Sequence, residues 1–187
     1  MVSKVPVEVI GLTGYAGVGK SYIAEHIAWE PRWTRLSFGS PIKLASEAVL
    51  RAAGINSNTN RYLSGDLKDV KLDEFDERLT SRDIQIAIGQ GLRDKFQDIW
   101  VSILERKLCK LLLEGRCVVI DDVRQANEAA LIRKYGGWVV RIVGQGKSVS
   151  DLNMSGVVAD TAFENNRGEY PSAAAQILKR LDDVNGK

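Results

Sequence analysis

A chain of 187 residues has the length of one domain and can bury a substantial core. Its 44% hydrophobic and 27% charged residues exclude a disordered chain. A formal charge of +2, from 26 basic against 24 acidic residues, gives no ground for a nucleic-acid or membrane partner, so any anion binding must be local.

The first strand is expected over about residues 7–12, where Val7, Val9 and Ile10 belong to an alternating apolar run. A glycine-rich loop follows, then a helix carried by Ile23, Ala24, Ile27 and Ala28 that runs to about Trp29, with Pro31 ending it. Residues 34–38 read as a short second strand. Ser40 is placed to cap the next helix, with Pro41 at its first position, a buried stripe of Ile42, Leu44, Ala45, Ala48 and Val49, and Gly54 as its stop. Residues 55–79 have weak periodicity and read as a surface excursion with one short helix, either bordering a second substrate or a tolerated insertion.

Thr80 is the expected cap of another helix, with Asp83 in its first turn and Ile84, Ala87, Ile88 and Gly91 near one face. Gly89 and Gly91 weaken a helix unless close packing or a ligand requires them. A longer helix is expected from Ile99 to Leu113, capped by Asp98 and stopped by Gly115. The unbroken apolar run Cys117–Ile120 predicts a strand covered on both faces. Cys117 and Cys109 lack metal-ligand spacing and read as small buried hydrophobes in a reducing compartment. A helix over about 127–135, a strand at 138–143, a loop at 144–159 near the nucleotide and a short strand at 161–164 come next. The last helix opens at Pro171 and Ser172, uses Lys179 and Arg180 at its C-terminal end, and frays from Asp182. Helices between short strands predict a single α/β domain with right-handed crossovers. The missing export signal and apolar span make the cytoplasm the expected location.

The chemistry concentrates at Gly14–Ser21, which fits G-x-x-x-x-G-K-S between a strand and a helix. Gly14, Gly17 and Gly19 permit a tight backbone, and the N–H groups of Gly14, Tyr15, Ala16, Gly17, Val18 and Gly19 can turn toward phosphate oxygens. Lys20 reaches the β and γ phosphates, and the Ser21 hydroxyl suits Mg²⁺. This predicts an ATP or GTP site. Asp121 and Asp122 end a parallel strand on the loop's edge of the sheet, where either can hold Mg²⁺ or a metal-bound water; their bland alternative is capping. Arg124 lies two residues on, and its planar fork suits phosphate. Arg82 and Arg93 are candidates for an acceptor's anion pocket. The one histidine, His26, reads as a surface or capping residue.

Larger blocks of sequence carry a resemblance. They are Ser37-Phe38-Gly39-Ser40-Pro41-Ile42-Lys43, Thr80-Ser81-Arg82 with Gln85, Gly89 and Arg93, Asp98-Ile99-Trp100-Val101, and Asp122-Val123-Arg124-Gln125-Ala126-Asn127-Glu128. In this order, over roughly residues 7–181, the chain resembles the phage-type deoxynucleoside monophosphate kinases among the P-loop kinases. The resemblance implies a three-layer P-loop kinase sandwich with a five-stranded parallel sheet of order 2-3-1-4-5. It also implies γ-phosphoryl transfer from ATP, with Mg²⁺, to a (deoxy)nucleoside monophosphate inside an infected host cell. Among the acids it favours Asp122 for the metal; Arg124 would contact phosphate, and Ser40, Lys43, Arg82, Arg93, Asn127 and Glu128 would serve the acceptor side. Asn127 and Glu128 would do so by organising the start of their helix. Ser40 stands where the family usually has aspartate, and no His-x-Ser-Glu follows residue 143, so base and sugar preference stay open. Also open are a dephospho-coenzyme A kinase-like activity, a nucleotide-controlled switch without an acceptor, and a homodimer.

Overall fold

The structure is a computed structural model and describes residues 7–72, 76–144, 156–165 and 169–186. It divides into two compact units, residues 1–37 with 104–187 and residues 38–103.

The first unit is built on a parallel sheet. Its strands are β1 (Val9–Thr13), β2 (Trp33–Leu36), β5 (Cys117–Ile120), β6 (Trp138–Val143) and β7 (Thr161–Glu164). They lie side by side as β2-β5-β1-β6-β7. Numbered among themselves, the five run 2-3-1-4-5, the order expected from the resemblance. All five strands lie within two residues of their predicted bounds, and for β5 and β6 dense β-branched runs beside glycines leave little choice of geometry.

Alternation along β1 separates the two faces. Ile10 and Leu12 join Ile23, Ala24 and Ile27 of α1 (Lys20–Ala28) and Ala173, Ala174 and Ile177 of α7 (Tyr170–Asn185) in one apolar cluster. Gly11 points the other way, where a Cβ would meet Ile132 of α6 (Ala126–Lys134) at 2.1 Å. The sheet therefore lies between helical layers. Ile10, Leu12, Ile23, Ile27 and Ile177 have 1% exposure or less, and each fully buried side chain of this kind contributes roughly 1.5–3 kcal/mol.

The end of α7 corrects an expectation. The helix continues to Asn185 rather than fraying from Asp182, so Lys179 and Arg180 lie inside it. Asn185 Oδ1 accepts the Val7 N–H at 2.8 Å, which satisfies a backbone donor just before β1.

The second unit holds α2 (Ser40–Ala52), α3 (Thr59–Leu63), the antiparallel pair β3 (Lys71–Leu72) and β4 (Asp76–Thr80), and α4 (Ser81–Lys95). The boundary between the units falls inside α5 (Ile99–Leu113), whose bounds are those predicted. Leu50, Leu63, Leu72 and Ile84 form this unit's apolar cluster. The 55–79 stretch thus carries its expected short helix and also most of an unpredicted hairpin.

Three local readings change here. Gly39, not Ser40, is the N-cap of α2, and Ser40 is the helix's exposed first residue. The buried positions of α2 are Ser46 and Leu50, while Leu44 and Val49 are exposed. Ser46 satisfies its own hydroxyl on the Ile42 carbonyl at 2.8 Å, so a polar residue occupies a position that apolar counting passes over. In α4, Ala87 and Gly91 are exposed, whereas Gly89 is buried and a Cβ there would meet Ile42 at 3.2 Å. Close helix packing therefore accounts for Gly89.

Thr80 and Asp83 form the capping box expected of α4. Asp83 N–H donates to Thr80 Oγ1 at 3.1 Å, and Thr80 N–H donates to Asp83 Oδ2 at 2.9 Å. The Thr80 hydroxyl also holds the Asp83 carboxyl below its ordinary pKa. Thr80→Ala is expected to cost about 1 kcal/mol, read as a lower urea midpoint with an unchanged slope. Because Asp83 is the depressed partner, its share is present above the ordinary carboxylate pKa and disappears as pH falls through the lowered one.

Candidate nucleotide site

The loop between β1 and α1 needs glycine for two different reasons. At Gly14, φ is +139° and a Cβ would lie 2.4 Å from the Ile142 carbonyl oxygen, so strand β6 leaves no room. At Gly19, φ is +89° and a Cβ would meet the Tyr170 ring at 2.4 Å. Gly19 is the N-cap of α1 and supplies no side-chain cap, which leaves the first helical N–H groups to an anion. Val18 is buried, and Tyr15, Ala16 and Ser21 are exposed.

Lys20 closes the loop on itself. Its ammonium donates to the Gly14 carbonyl at 2.8 Å and the Tyr15 carbonyl at 2.7 Å. Burial first and Arg124 second bring its pKa down from 10.5 to about 8, against the opposing pull of Asp121 and Asp122. Those three side chains are therefore within electrostatic reach of the lysine.

The two acids at the end of β5 have different settings. Asp121 is buried, and Arg35 Nε and Nη2 both donate to its Oδ2, at 3.0 and 2.5 Å. Asp122 is half-buried, and its Oδ2 accepts the Ser37 hydroxyl at 2.7 Å. Hard carboxylate and hydroxyl oxygens on Asp122 and Ser21 are the donor types that Mg²⁺ takes. The residues present fit that ion.

Arg124 is exposed, and its backbone N–H donates to Glu128 Oε2 at 2.7 Å. The same oxygen accepts the Gln125 N–H at 3.0 Å, so Glu128, 4% exposed, organises the start of α6. Asn127 lies half-buried in that first turn.

The remaining predicted residues belong to the second unit. Lys43 Nζ donates to Ser64 Oγ at 2.9 Å, and Arg82 Nε lies 2.7 Å from Asp69 Oδ1. The Arg93 guanidinium donates to Gln90 at 3.4 Å. Arg61 pairs with Asp66 and Arg78 with Asp76, so these exposed arginines have local counter-ions. Residues 145–155 lie outside the described residues, and with them most of the loop expected near the nucleotide.

Sequence reasoning missed three contributors. Arg35 and Ser37 belong to and follow edge strand β2, and nothing in their spacing announces the acids they bind. Asn165 directly follows β7, at the carboxyl edge that also carries the loop. An asparagine pair closing a strand was the available signal. Thr13 Oγ1 and Asn165 Oδ1 are the buried side-chain atoms without a hydrogen-bond partner among the described residues. Thr13 adjoins the loop, and Asn165 bonds to it.

No protein-family model matches the chain. A protein of Acanthamoeba polyphaga mimivirus named "Putative deoxynucleotide monophosphate kinase" is 26% identical over 191 residues, covering 94% of this chain and 96% of its own. Among solved structures, dephospho-CoA kinase from Campylobacter jejuni superposes with a TM-score of 0.50 at 15% identity, covering 93% of this chain and 97% of its own. The alignment over nearly the whole of both chains and the shared fold, on top of the phosphate loop, show a P-loop kinase fold in a chain that resembles the deoxynucleotide monophosphate kinases.

Proposed function

We propose that the chain transfers the γ-phosphoryl group of ATP to a nucleoside 5′-monophosphate, with deoxynucleotides as the acceptor class. The carrying observation is the set Lys20, Asp122 and Arg124 at one sheet edge beside the glycine loop. The name of the viral relative supports the choice of acceptor.

Phosphoryl transfer asks a protein for position and charge more than for a nucleophile. Lys20 trades its two carbonyl contacts for triphosphate oxygens, while the loop amides and the open end of α1 hold the rest of the polyphosphate. Ser21 and Asp122 would hold Mg²⁺, which neutralises phosphate charge when bound. Arg124 spreads positive charge over the transferring group. The acceptor phosphate is largely ionised at neutral pH, so no strong general base is needed. Within the second unit, we assign Ser40, Lys43, Arg82 and Arg93 to the acceptor; release of Arg82 from Asp69 is part of that assignment.

The test is the initial rate of ADP release from Mg²⁺–ATP with each common ribo- and deoxyribonucleoside monophosphate, with each diphosphate product identified. Stimulation by one or more deoxynucleotides is expected. Intact ATP binding with no stimulation across the panel would redirect the assignment to another acceptor or to a switch.

A further inference from the structure

We infer that Asn165 is a positioning residue for the phosphate loop, fixing the direction of the Gly19 N–H. This rests on the triphosphate-binding reading and adds a residue to it. Asn165 Nδ2 donates to the Val18 carbonyl at 2.7 Å in a buried setting, across 147 residues of chain. The Asn165 backbone N–H is itself fixed on the Val143 carbonyl at 2.7 Å. A carbonyl can only accept, so the side-chain group facing it is the amide NH₂ and not the amide oxygen.

The consequence follows from peptide geometry. Val18 C=O and Gly19 N–H belong to one planar trans peptide and point in opposite directions. Holding that carbonyl against Asn165 turns the Gly19 N–H to the other side of the backbone, the direction an amide must take to donate to a phosphate. The neighbours keep the bond in place. A Cβ on Gly19 would lie 2.8 Å from Asn165 Nδ2, and Tyr170 fills the same space while stacking on Tyr22 of α1, with centroids 5.0 Å apart and planes 17° apart. Asn165 is 5% exposed, and its Oδ1 has no partner among the described residues. An amide with one end bonded and the other unsatisfied is a costly arrangement for packing alone.

The role is tested by titrating ATP and adenosine into wild type, Asn165→Ala and Asn165→Asp at several pH values, each variant taken relative to wild type at the same pH. That ratio cancels the protonation of ATP itself, which is common to all three proteins. Asn165→Ala is expected to weaken ATP about tenfold while leaving adenosine, which has no phosphate, unchanged. In Asn165→Asp an ionised carboxylate faces the Val18 carbonyl and the loss is larger. As pH falls and the carboxyl gains its proton, an O–H donor returns and the loss shrinks. A general packing defect would weaken both probes and show no such recovery. Wild-type ATP binding matched by both variants, or a loss in Asn165→Asp that does not change with pH, would overturn the role of Asn165 alone. Wild type that binds no ATP would overturn the triphosphate reading and this role with it.

Discussion

Lys20→Ala is expected to lower acceptor-dependent ADP release by about two to three orders of magnitude while folding at least as well as wild type. The two effects come from one cause. A lysine whose pKa falls from 10.5 to about 8 carries its charge at a cost in the folded protein, chiefly through burial and secondarily through Arg124. The unfolded chain binds that proton more firmly, so the cost is full below pH 8, and stability rises as pH climbs from about 8 toward 10.5. Alanine removes both the cost and that slope. Polyphosphate restores the ammonium, so above pH 8 ATP binding must take up a proton, and wild-type affinity falls by up to about tenfold per pH unit. Titrations of ATP from pH 7 to 9.5 should show this limb in wild type and not in the variant. Turnover by Lys20→Ala at the wild-type rate, or equal pH slopes in the two proteins, would exclude the proposed role.

The second large effect separates two adjacent acids. Asp122→Asn is expected to lower turnover by about two to three orders of magnitude, comparable to losing one preorganised charge partner, and to raise the Mg²⁺ concentration needed for half-maximal rate. Its thermal midpoint should move little, because the amide still accepts from Ser37. Asp121→Asn should do the reverse. It weakens a charge-assisted contact to Arg35 and leaves a guanidinium beside a buried neutral amide. A hydrogen bond to a charged group is worth about 1.5–3 kcal/mol, discounted here toward the lower bound because the Arg35 side chain is 37% exposed. Urea unfolding of both variants, beside rates across a Mg²⁺ series, reads the split. If Asp121→Asn were the variant with the shifted Mg²⁺ requirement, the metal assignment would move to Asp121.

What could be read before the structure had strong local physics behind it. The phosphate loop, β5, β6 and α5 are sites where apolar runs, glycine and capping chemistry agree, and little else fits the same residues. The preference for Asp122 came from a family pattern and not from spacing, and the pairing of Asp121 with Arg35 gives the two acids distinct environments that spacing cannot supply. Arg35 and Asn165 escaped for a related reason. Each acts on a partner 86 or 147 residues away, and no periodic signal encodes a contact of that kind. The helical phase of α2 failed where Ser46 is buried on its own backbone bond. The end of α7 failed where an asparagine, usually a fraying signal, found Val7.

The strand order has a consequence for how the chain reaches this state. β1 lies at the middle of the sheet, yet its neighbours β5 and β6 are separated from it by more than a hundred residues. As the polypeptide leaves the ribosome, the strand that carries the phosphate loop emerges well before both of its partners and is sealed only after they follow. Closing such long loops carries an entropic cost before any pairing rewards it, which slows folding. Residues 38–103, by contrast, are continuous and bring Leu50, Leu63, Leu72 and Ile84 together within a short span. That segment can collapse while the apolar Val9–Leu12 run is still unpaired, so the nascent chain passes through a stage with an exposed, aggregation-prone strand, the point at which a chaperone has most to protect.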